Sequence, residues 1–132
     1  MRSLFAFLAA SAALTLVFNG ESLLERLRRL LRRGRSVVGE VLAIDRVCYS
    51  RDRYYGVRLL MRTREGELAV HLGPSWFVNS QRLKLHPHDR IEVIGAPTTY
   101  DGRPTLIATA IRKGKERLRL RAADGRPLWH GS

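Results

Sequence analysis

A chain of 132 residues with a formal net charge of +12 has room for one domain, and its charge favours polyanionic neighbours: nucleic acid, anionic lipid or an acidic protein. A single cysteine, Cys48, excludes an internal disulfide, a CxxC metal pair and a CxxCH haem attachment. The basic side is almost all arginine and is spread along the chain, so charge alone selects none of these partners.

Leu4 to Phe18 (LFAFLAASAALTLVF) is an apolar run behind Arg2. As a helix it would rise about 22 Å, short of the ~30 Å hydrocarbon core and matched to the apolar part of an export signal. Residues 1–20 are therefore read as a signal or anchor helix, with residues 4–18 as the contact with the membrane. Ala10-Ser11-Ala12 has the small-x-small form of a cleavage site, but cutting there would leave Leu14–Phe18 on the mature protein, which favours an uncleaved anchor. Arg26, Arg28, Arg29, Arg32, Arg33 and Arg35 on the far flank favour a cytoplasmic domain by the positive-inside rule. The short apolar run behind one arginine favours export. The expectation taken forward is a membrane-associated protein with its domain on the periplasmic side.

Residues 21–35 read as a linker helix. Ser22-Leu-Leu-Glu25 is a capping box and Gly34 a stop. Between them Leu23, Leu24, Leu27, Leu30 and Leu31 share one face, opposite the arginines. Such a helix suits either a lipid interface or a protein surface.

From residue 36 to residue 132 the period changes to two. Val37–Ile44 reads as a strand with Gly39 as a bulge. Tyr54–Thr63 and Glu67–Leu72 form a hairpin about Arg64-Glu65-Gly66, with Val57, Leu59, Met61, Leu68, Val70 and Leu72 facing one way. A short helix is expected from Pro74. Strands follow at Arg90–Gly95, Thr105–Arg112 and Leu118–Arg121, with turns at Asp101-Gly102 and Asp124-Gly125. The order β-β-β-α-β-β is that of an OB barrel, so the fold class is mainly β: a small OB-like barrel behind an apolar helix and a short amphipathic one.

The strings His71-Leu-Gly-Pro-Ser-Trp-Phe77, Asp89-Arg-Ile-Glu-Val-Ile-Gly95 and Leu120-Arg-Ala-Ala-Asp-Gly-Arg-Pro-Leu-Trp129 resemble a bacterial domain family, that of the N-terminal part of the magnetosome proteins MamS and MamX. The resemblance spans Val37 to Trp129 and implies a small β-barrel on an exported or membrane protein, with no enzymatic residues to carry over. Relatives with CxxCH motifs have redox chemistry that this chain, lacking them, does not inherit.

The residues themselves offer two kinds of site. His86 and His88 share a face if extended and are candidate metal ligands, with His71 and His130 as further donors. In OB domains the second and third strands and the first and fourth inter-strand loops bind nucleic-acid strands. Tyr49, Tyr54 and Tyr55, among Arg46, Arg51 and Arg53, fall at the first loop, and Tyr100 and Arg103 at the other. Trp76 is expected to plug one barrel end and Trp129 to pack the tail on the wall. Cys48 is expected to be a small buried hydrophobe. No Ser/His/Asp spacing, P-loop or GxGxxG occurs, so neither an enzymatic role nor a cofactor is expected. The leading expectation is a binding or scaffolding module with a protein partner. The alternatives are a single-stranded nucleic-acid binder and a metal or redox accessory protein.

Overall fold

In a computed structural model, which describes residues 17–18, 21–32, 36–49 and 54–129, the first long element is helix α1 (Leu23–Arg32). Its start is set by Ser22: the Glu25 amide donates to Ser22 Oγ at 3.2 Å, and the Ser22 hydroxyl donates to Glu25 Oε1 at 3.2 Å. Most of the expected apolar helix lies outside the described residues, as do Gly34 and His130. Its last two apolar residues, Val17–Phe18, pair in antiparallel fashion with Glu21–Ser22, so the run is not helical through to Phe18. Among the described residues no helix is long and apolar enough to cross a membrane.

The period-two segment forms six strands: β1 (Val37–Tyr49), β2 (Tyr54–Thr63), β3 (Gly66–Pro74), β4 (Arg90–Tyr100), β5 (Arg103–Lys113) and β6 (Glu116–Arg119). Helix α2 (Ser75–Ser80) stands between β3 and β4. The sheet order is β3-β2-β1-β4-β5-β6, and neighbours in that order are antiparallel. One further pairing is parallel, with Ala69–His71 of β3 against Thr105–Ile107 of β5. Pairing that runs from β3 through β2, β1, β4 and β5 thus returns to β3.

Alternation explains the core. Val57, Leu59 and Met61 of β2 and Leu68, Val70 and Leu72 of β3 are buried together with Ile91, Val93, Leu106, Ile111, Leu118 and Leu120. Two local readings change. β1 runs on to Tyr49, because Asp45–Tyr49 find a ladder partner in Tyr54–Arg58. The bulge falls at Leu42, between Val41 and Ala43, and not at Gly39. Gly39 serves a different purpose: a Cβ there would collide with the Arg62 carbonyl of the neighbouring strand. The turn at Asp101-Gly102 has positive φ at both residues, 56° and 75°, the conformation that a two-residue hairpin turn requires.

Helix α1 lies against β1, β4 and β5. Leu23 and Leu27 are part of the core, with Leu31 half-buried against it, so one stripe of the leucine face is taken up by protein. The Arg26–Glu65 ion pair at 3.6 Å adds little, since a solvent-screened pair is worth roughly 0–1 kcal/mol. Burial of two leucines outweighs it. Leu27→Ala is therefore expected to destabilise the domain by about 2–5 kcal/mol in denaturant unfolding, whereas Glu65→Gln changes stability by less than about 1 kcal/mol.

Candidate functional site

The outer face of β2 and β3 is built from the residues between the core positions. Arg58 pairs across the ladder with His71, Leu60 with Ala69 and Arg62 with Glu67. The β4–β5 hairpin folds beside this face and delivers Tyr100, whose ring meets the His71 imidazole edge-on at 4.8 Å and 64°. A cavity of about 50 Å³ remains, lined by Arg58, Leu60, Ala69, His71, Tyr100 and Arg103 among others. Leu23 at the start of α1 closes one side of it.

Electrostatics define what this face can do. Burial, then the Arg58 guanidinium, then that of Arg121, push the His71 pKa down to about 4. The imidazole is therefore neutral at pH 7 and too weakly basic to serve well as a general base there. The Thr105 hydroxyl, also at the cavity, donates to the Arg103 carbonyl at 3.1 Å. Arg58 is oriented by Asp45, Nη2 to Oδ2 2.7 Å. The result is a neutral imidazole, a tyrosine ring and the Asp45-held Arg58 guanidinium, with Arg103 beside them, around a small apolar floor. That combination can hold a planar or anionic group.

Immediately next to it, two of the singled-out strings meet. The parallel ladder of β3 and β5 spans only Ala69–His71 and Thr105–Ile107. One residue further along each strand, Arg121 Nη1 donates to the Ala108 carbonyl at 2.6 Å and lies 3.4 Å from the Leu72 carbonyl. Trp129 lies over that guanidinium at 4.8 Å and tilts against Phe77 at 5.4 Å. Gly73 makes room for it: φ is +148°, and an added Cβ would sit 2.7 Å from the indole ring. The tail is folded to reach this point by a turn in which Gly125 N–H donates to Ala122 O at 2.9 Å and Leu128 N–H to Leu120 O at 3.0 Å.

The residues expected from sequence fall into four groups. Tyr100 and Arg103 are at the face just described. Tyr55 is exposed, 54%, with the Arg46 guanidinium 5.8 Å from its ring centre. Tyr49 and Tyr54 are paired in register at the end of the β1–β2 hairpin, and residues 50–53 lie outside the described residues. His86 and His88 each face a different carboxylate: His88 Nδ1 is 3.1 Å from Glu40 Oε2, and His86 Nδ1 is 3.9 Å from Asp89 Oδ2. Burial pushes the Asp89 carboxyl up, but Lys113 at 2.9 Å and the His86 amide more than offset this and hold it below the usual carboxylate range. Among the described residues no group of three or more His, Cys, Asp or Glu is placed to hold a metal ion.

Two packing expectations are corrected. Trp76 is 58% exposed and plugs nothing; Phe77 and Val78 pack on the core instead, because a helix turn beginning after Pro74 points position 76 outward. Cys48 is exposed, on the outer side of an end of the β1–β2 ladder that nothing described covers. Trp129 packs the tail on the wall as expected. Arg58 and Arg121 were missed as site residues, and His71 was expected only as a further metal donor. Strand alternation already placed Arg58 and His71 on the outer face, but only the hairpin and tail bring Tyr100 and Arg121 to them.

Among the described residues these features define a small mainly-β domain, a six-stranded sheet with two helices, in which Arg121 and Trp129 pack at the junction of β3 and β5. Residues 34–118 match the MamS/MamX magnetosome protein family, and the chain belongs to that family. The match takes in His71–Phe77 and Asp89–Gly95 and stops before the Leu120–Trp129 tail. No curated protein and no solved structure matches the chain.

Two outcomes follow from this corner. Gly73→Ala and Arg121→Met are each expected to cost about 1–3 kcal/mol, the first by overpacking and the second by stranding a carbonyl. In a double-mutant cycle on Arg121 and Trp129 the two changes are expected to be non-additive by at least about 0.5 kcal/mol. The second outcome concerns pH. His71 takes up a proton near pH 6.5 when unfolded and near 4 when folded, so the unfolded state binds more protons between those values. Stability is therefore expected to fall as pH drops from about 6.5 to 4, by at most about 3 kcal/mol, and to be flatter over that window in His71→Gln.

Proposed function

We propose that this chain is a non-enzymatic OB-type binding module in a magnetosome-associated setting, held at a membrane or exported by residues 4–18, and that it scaffolds a protein partner through the outer face of β2 and β3. The observation that carries the reading is the return of strand pairing to β3 through β5, with a helix between the third and fourth strands. In an OB barrel that connectivity makes β2–β3 and the β4–β5 loop the binding face. Here the same face gathers Arg58, His71, Tyr100 and Arg103 about a cavity. Its neutral imidazole and the Asp45-held Arg58 guanidinium suit recognition better than proton transfer. Family membership supports the magnetosome setting.

A second reading has a specific observation in its favour. Tyr55 beneath Arg46, and Tyr100 beside Arg103, are the stacking and cationic groups with which OB domains hold single-stranded nucleic acid. One pair of measurements separates the two. A reporter fused after Ser132 and active only outside the cytoplasm is expected to be active, and the full chain is expected to bind labelled oligothymidylate only weakly in anisotropy titrations. An inactive but stable fusion, with salt-dependent oligonucleotide affinity that falls in Tyr55→Ala and Tyr100→Ala, would replace the scaffold reading with the nucleic-acid one.

A further inference from the structure

β1 has an edge that the sheet does not use. It pairs with β2 as far as Tyr49 but with β4 only over Val37–Glu40. Val41 then exchanges backbone hydrogen bonds with the segment entering β4: its amide donates to the Asp89 carbonyl at 2.8 Å, and its carbonyl accepts from the His88 amide at 2.7 Å. Beyond the bulge at Leu42, no described strand lies along this edge. The Arg46 amide donates to the carboxylate of Asp45 at 2.8 Å, a side-chain substitute for a ladder partner.

Beside this edge a cavity of about 550 Å³ opens between Ile44–Arg46 of β1, α2 and residues 83–86. That volume is in the range of ligand-binding clefts. Its floor is Val57, Leu59 and Leu72, and its far wall is Val78, Leu83 and Leu85. The rim is cationic: Arg46 and Lys84 are exposed, while Asp45, the acidic residue among the described lining, is held by Arg58 at 2.7 Å.

From this juxtaposition we infer that the groove receives an extended acidic segment of a partner protein, added as a strand along Ile44–Arg46. A free ladder edge offers a row of backbone donors and acceptors that a peptide satisfies in register. Of the peptide's groove-facing side chains, every second one along the strand, apolar ones drop onto Val57, Leu59 and Leu72 and acidic ones meet Arg46 and Lys84 at the rim. The groove uses the free edge of β1 and the inward-facing Val57, Leu59 and Leu72, whereas the β2–β3 outer face uses Arg58, His71, Tyr100 and Arg103, so different variants test the two assignments and failure of either leaves the other standing.

The test uses the full chain in detergent as bait for a library of randomised linear decapeptides. Selected peptides are expected to alternate apolar residues and to carry acidic ones, and to bind in anisotropy titrations. Arg46→Pro removes the edge amide, which makes its hydrogen bond to Asp45 and not to β2. It is expected to weaken binding at least about tenfold more than Arg46→Ala, which keeps that amide. Lys84→Glu weakens binding as well, and Tyr100→Ala on the other face leaves it unchanged. A thermal melt of Arg46→Pro checks that the fold persists, and backbone amide protection at Ile44–Arg46 on peptide addition gives a second readout on the unaltered chain. The assignment is overturned if no peptide is enriched, if the two Arg46 variants bind equally and protection is absent, or if the groove takes up only an apolar dye such as anilinonaphthalene sulfonate.

Discussion

One guanidinium holds the junction of β3 and β5. The parallel contact between β3 and β5 is three residues long on each strand, and where it ends Arg121 supplies a strong donor to the Ala108 carbonyl and approaches that of Leu72. A hydrogen bond from a charged donor contributes about 1.5–3 kcal/mol, and more is lost if a buried carbonyl is left bare. Trp129 covers this guanidinium, Gly73 leaves space for the indole, and Phe77 backs it. Residues far apart in sequence thereby act as one joint between the third strand, the fifth strand and the tail.

That joint also shapes the neighbouring face. Burial first, then the charge of Arg58 and last that of Arg121, hold the His71 imidazole neutral at pH 7. The neutral ring then lies edge-on to Tyr100, on the strand face that also carries the Leu60–Ala69 pair.

The two helices divide the apolar surface that the strands leave over. α1 spends Leu23 and Leu27 on the core, although its leucine and arginine faces alone suit lipid equally well. α2 is short and contributes Phe77 and Val78 rather than Trp76. Its brevity leaves the groove beside β1 open, with apolar residues at the bottom and cations at the lip.

Much of the fold was legible because period-two alternation is a local property. Val57, Leu59, Met61, Leu68, Val70 and Leu72 declare their common face without reference to any other element, and Asp101-Gly102 and Ser22…Glu25 declare a turn and a cap through their own backbone chemistry. The site was legible in part: Tyr100 and Arg103 belong to a hairpin tip, and a tip is a local feature. For His86 and His88, two residues apart, the neighbouring carboxylates are different ones, Asp89 and Glu40, which no spacing rule could assign. The pairing of β3 with β5, the place of Arg121 across it and the role of Gly73 beneath Trp129 were decided only by tertiary structure. Each rests on contacts between residues distant in the chain, where backbone groups and rings meet only after the sheet has curled.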